Sequence, residues 1–114
     1  MADPSLCRVL YANQLVIDQR WSWRLSDPFW RLYFNRDAGA RIADEHRVWD
    51  LPPYRAVVVP PWGDLRGSCS TPVRHFYVHF ETPGLDLAQQ AGGPVILAED
   101  AILRAMLDEL AAET

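Results

Sequence analysis

The sequence contains no lysine: all eleven basic residues are arginine. Any cationic contact therefore comes from a planar guanidinium, although compositional bias of a genome produces the same usage and is the plainer reading. Against fifteen Asp and Glu the formal charge is −4, which argues against a generic nucleic-acid surface. Long apolar runs are absent. The longest uncharged one, residues 56–63, falls far short of the ~20 residues of a membrane helix and contains a Pro pair, so no membrane span is expected. The N-terminus, Met1-Ala2-Asp3-Pro4-Ser5, has neither a positive region nor an apolar stretch, and secretion is not indicated. Cysteine is scarce. Cys7 and Cys69 occur in no C-x-x-C or metal spacing and read as free thiols of a cytoplasmic protein. No G-x-S-x-G motif is present, and Ser68 and Ser70 flank Cys69 without a recognisable base. No catalytic residue, metal ligand or cofactor is assigned, and the chain is not read as an enzyme.

What is present is a folded domain: 49% hydrophobic residues, nine Pro and five Trp in 114 residues, a length that fits one core and one domain over 1–114. From Leu6 to about Glu81, short aromatic and β-branched runs alternate with Pro, Gly, Asp and Asn, the spacing of an all-β sandwich or barrel. Strands are expected at 8–10, 15–18, 21–25, 29–35, 40–43, 46–51, 56–59, 65–69 and 74–80, with residues 1–13 as an arm, 14–81 as the barrel and 82–98 as a connector. Over 99–113 Ile102, Met106 and Leu110 recur four apart, with Leu103 and Leu107 beside them, which predicts an amphipathic helix whose first turn takes Glu99 and Asp100. Its apolar stripe must be buried, on its own domain alone or on a second copy as well.

Two strands could carry chemistry. By the two-residue period, Trp30, Leu32 and Phe34 share one face, while Phe29, Arg31, Tyr33 and Asn35 share the other. Phe76, Val78 and Phe80 are likewise opposed to His75, Tyr77 and His79. A solvated sheet surface is the ordinary explanation of such a mixed face; a concave sheet that binds a polar small molecule needs the same rings and donors. Which of Arg20, Trp21, Trp23 and Arg24 turns inward is not set by the sequence. His75 and His79 lie about 13 Å apart along a strand, too far for one metal to bridge, and Asp44-Glu45-His46 reads as a solvated turn.

The pieces Trp30-Arg31-Leu32-Tyr33-Phe34-Asn35 with Gly39, Trp49-Asp50-Leu51-Pro52-Pro53 leading to Val57-Val58-Val59-Pro60-Pro61, and His75-Phe76-Tyr77-Val78-His79-Phe80 occur in that order. Jointly they resemble the N-terminal effector-binding domain of AraC-type transcription regulators. The resemblance implies a mainly β, cupin-like jelly-roll barrel with a C-terminal amphipathic helix. It further implies a small effector, often a sugar, inside the barrel, and a helix that supports a homodimer through Ile102, Leu103, Met106, Leu107 and Leu110. The sugar-contacting His and aromatic ring of the family's sugar-responsive member fall on His75 and Tyr77, with Tyr here in place of Trp. Arg31 and Tyr33 join the ligand-binding set by alternation alone. Metal-dependent cupin enzymes share the fold class, but H-x-H is missing and Arg66 stands where their second motif has its His. A small cupin enzyme using His46, His75 or His79, and a ligand-free dimerisation module, are the alternatives. The family's helix-turn-helix pair has no counterpart within 114 residues, so DNA contact is expected only through a domain not present in this chain.

Overall fold

A computed structural model describes residues 7–82 and 93–114. Nine strands and one helix lie among them: β1 (Arg8–Ile17), β2 (Ser22–Leu25), β3 (Trp30–Asn35), β4 (Ala40–Ala43), β5 (Val48–Asp50), β6 (Ala56–Val59), β7 (Leu65–Cys69), β8 (Val73–Glu81), β9 (Val95–Ile96) and α1 (Ala101–Ala112). They form two antiparallel sheets, ordered β1-β8-β3-β6-β9 and β2-β7-β4-β5. Successive strands cross between the sheets so that β1, β8, β3, β6 face β2, β7, β4, β5. This is the double Greek key of a jelly roll. The mainly β architecture with a C-terminal helix is the one read from the sequence. No helix among the described residues is long and apolar enough to cross a membrane.

Between the sheets, Tyr33, Val57, Val59 and Val73 of the five-stranded sheet pack with Leu25, Ile42, Leu65 and Cys69 of the other. Every second residue of β7, namely Leu65, Gly67 and Cys69, is buried, as a half-buried strand requires. A second core lies on the far side of the five-stranded sheet, where Phe34, Ala56, Phe76 and Val78 receive Leu107 and Ala111 of α1.

The helix is held by more than apolar area. Its N-cap is Asp100, whose carboxylate accepts from the backbone N–H groups of Ile102 and Leu103 at 2.8 and 3.1 Å. Glu99 and Asp100 thus precede the first turn instead of lying within it. Arg36 pairs with Asp108 at 2.9 Å, and Arg104 lies 4.3 Å over the Tyr54 ring. Tyr54 itself has φ of 60°, in the turn after the Pro52-Pro53 pair, and its N–H donates to Asn35 O at 2.8 Å. That strained turn sets the ring between Phe34 and the helix.

Three expectations change. The two short runs expected at 8–10 and 15–18 are one ten-residue strand, so the residues assigned to an arm are paired with β8 from Arg8 onward, with a shift of register between Val9 and Tyr11. The connector contains β9, which pairs with β6; its residues 83–92 lie outside the described residues. The helix stripe is divided: Leu107 is 6% exposed and Leu103 packs beside it on the chain's own sheet, whereas Ile102, Met106 and Leu110 remain exposed, Ile102 at 75%. Leu103 and Leu107 are therefore occupied within the monomer.

Candidate functional site

The antiparallel registers of β1, β8 and β3 stack the mixed-face residues in rungs. Tyr11, His79 and Arg31 form one, Asn13, Tyr77 and Tyr33 the next, and Leu15, His75 and Asn35 the third. This face turns into the barrel: Arg31, Tyr33, Asn35 and His75 are all buried. The solvated-surface reading of it is overturned. Because α1 occupies the apolar face of the same sheet, the second sheet must cover the mixed one.

Between the rungs and β2 lies a cavity of about 350 Å³. The four sequence-selected residues Arg31, Tyr33, His75 and Tyr77 all line it, together with His79 and, from the end of β1, Leu15 and Ile17. The facing wall comes from β2 and its flanks: Trp21, Trp23, Arg24, Leu25 and Asp27. Trp21 turns inward, its ring centre 5.4 Å from that of His75 and 6.0 Å from that of Tyr33. It fits because position 67 is glycine: a Cβ there would come within 2.5 Å of the indole ring. Trp23 is largely exposed at the rim, Arg24 reaches outward to Asp64 at 3.2 Å, and Arg20 pairs with Asp18 on the surface.

His75 lies deepest, 3% exposed, with Nδ1 2.6 Å from Asn35 Oδ1. An amide oxygen only accepts, so Nδ1 carries the proton and Nε2 is left as an acceptor. Burial lowers the His75 pKa to about 4, so the ring is neutral at pH 7. Burial also lowers the pKa of His79, with the Arg31 charge acting in the same direction. The Tyr33 hydroxyl is pushed up by burial, and so is that of Tyr77, to which Tyr11 adds. At neutral pH these rings are uncharged hydrogen-bonding groups set in apolar walls. The fixed charge comes from Arg31, whose side chain is 5% exposed and is clamped by Asp27 and by the Phe29 ring at 4.7 Å. Arg31 Nη1 and Asn35 Nδ2 are buried without a hydrogen-bond partner.

His46 is exposed in the turn before β5, where Asp44 Oδ1 accepts from the backbone N–H groups of His46 and Arg47 at 2.8 and 2.7 Å. It does not join His75 and His79 in the cavity lining. Among the described residues no three His, Cys, Asp or Glu side chains are grouped so as to hold a metal ion. Cys7 is exposed and Cys69 buried, both as free thiols.

Sequence reasoning missed Asp27 and left Trp21 undecided. Asn35 was legible as a neighbour of Arg31 and Tyr33 on one face, but nothing local marks it as the partner of His75, forty residues away.

No family pattern matches the sequence, and no curated protein matches it. Solved structures do share the fold. ToxT from Vibrio cholerae, known at 1.65 Å resolution, matches 89% of this chain with a TM-score of 0.61 at 6% sequence identity. The chain covers 46% of ToxT, under half its length, and at that identity the likeness is one of fold.

Proposed function

We propose that the chain is the effector-sensing regulatory domain of an AraC-type transcription regulator, acting as a cytoplasmic sensor and not as an enzyme. The observation that carries this reading is the use of both faces of one sheet. The inner face of β3 and β8 lines a cavity with Arg31, Tyr33, His75 and Tyr77, while the outer face of the same two strands carries α1 on Phe34 and Phe76. Residues adjacent in sequence, Tyr33 with Phe34 and His75 with Phe76, thus touch the cavity on one side and the helix contact on the other. A small molecule that binds better in one arrangement of β1, the sheet and α1 shifts the protein toward it, by no more than its difference in affinity. The fold supports the reading, since ToxT is an AraC-family regulator. The exposed Ile102, Met106 and Leu110 would serve a homodimer, and DNA would be reached through a domain outside this chain.

Thermal unfolding of the purified chain against pentoses, hexoses, sugar acids and small aromatic acids tests it. A ligand at a hundred times its dissociation constant adds about 2.7 kcal/mol, which raises Tm by roughly ten degrees in a domain of this size. The shift should be lost in Tyr77→Ala. A panel without effect, or a shift that survives both Tyr77→Ala and His75→Ala, removes the assignment.

A further inference from the structure

The cavity has two chemically different ends. At the rung of Arg31 and His79 it holds the fixed charges of its lining apart from the rim residue Arg24; two rungs away, about 13 Å along the strands, Trp21 packs on His75, and Ile17 follows one rung further. We propose that its occupant is a small planar carboxylate, with the acid group on Arg31 and the flat apolar body against Trp21. This assignment rests on the cavity being the effector site.

Three observations carry it. Arg31 is buried and cannot swing to water, yet only one arm of its fork is engaged by Asp27, and Nη1 has no partner. A buried donor without an acceptor is unfavourable, and a ligand oxygen is the partner it lacks. Charge adds a sign. Arg24 reaches out to Asp64, which leaves Arg31 as the cation turned into the cavity, and its one counter-charge, Asp27, is half exposed and shared with solvent, so an anion is favoured there over a cation. A guanidinium with a free arm matches carboxylate geometry better than that of a neutral hydroxyl. The body follows from the walls: Trp21, Tyr33 and Tyr77 offer ring surfaces, which stack on a flat ligand.

Naphthoate and its neutral counterpart naphthamide share a ring system and differ in the acid group. Titration of the full chain with each, followed by quenching of tryptophan emission, should show naphthoate on the order of ten-fold or more tighter. Arg31→Gln should bring the two probes to similar affinity. Asp27→Asn, which keeps a side-chain oxygen as acceptor for Arg31 but removes the competing charge, should tighten naphthoate alone. Equal binding of both probes by the wild-type chain overturns the carboxylate assignment and leaves the cavity as a binding site. If neither binds, the assignment falls; the sugar and acid panel above then decides whether the effector-site reading falls with it.

Discussion

The buried imidazole of His75 makes the stability of the fold depend on pH in a calculable way. In the unfolded chain a histidine titrates near 6.5, whereas in the fold burial lowers the His75 pKa to about 4. Above about pH 6.5 neither state holds the proton, and the stability associated with this group is fully present. As pH falls toward 4 the unfolded chain takes up a proton that the fold refuses, and stability is lost. The whole span corresponds to about 3 kcal/mol, with a slope approaching about 1.4 kcal/mol per pH unit inside the window. His79, half-buried, contributes in the same direction. Asp18, Asp37 and Asp44, which Arg20, Arg74 and the His46 N–H respectively hold below the ordinary carboxylate range, add to the loss in the same direction only at the acid end of the window, where the unfolded carboxylates begin to protonate. Urea unfolding at pH values stepped from about 7.5 to about 4.5 measures the slope. His75→Gln is the informative variant, since its amide can still donate to Asn35 Oδ1 but cannot titrate. Its stability should fall less steeply with acid, by about one proton's worth, whatever its absolute value. An unchanged slope would refute the placement of His75 as a buried neutral ring.

Gly67→Ala should lower stability by about 1–3 kcal/mol, because the added methyl meets the Trp21 ring at 2.5 Å and the indole must move. Near-UV circular dichroism should change with Tm, and a variant unaltered in both would show that Trp21 does not rest on β7. Leu107→Ala should lose about 2–4 kcal/mol by emptying the contact with Phe34 and Phe76, whereas Ile102→Ala should stay within about 0.5 kcal/mol at monomeric concentration. Equal losses in denaturant titration would contradict the docking of α1 through its Leu103 and Leu107 side.

Much of the fold was legible because alternation and turn chemistry are local. The expected runs from residue 21 to residue 80 coincide with β2 to β8 to within two residues at each end. β1 was broken in two because Ala12, Asn13 and Gln14 are weak strand formers, and only pairing with Val78, Tyr77 and Phe76 keeps them extended. β9 is two residues long and is defined by β6, not by its own composition. In the cavity, Arg31 and Tyr33 were found from the two-residue period, and His75 and Tyr77 from the family resemblance. Trp21, Asp27 and Gly67 were not, since their roles depend on a second sheet folding over the first.

By itself the sequence determined which residues share a face. A side-chain period of two admits no other grouping of Arg31 with Tyr33 and Asn35, or of His75 with Tyr77 and His79. Only the tertiary structure decided which face is inside. A strand with one apolar and one polar face normally turns the apolar one to the core. Here α1 caps that face from outside, and the second sheet encloses the polar one, so that Arg31, Tyr33 and Asn35 are buried on one side of β3 and Trp30 and Phe34 on the other. That choice depends on residues some thirty to seventy positions away, through contacts that no local pattern records.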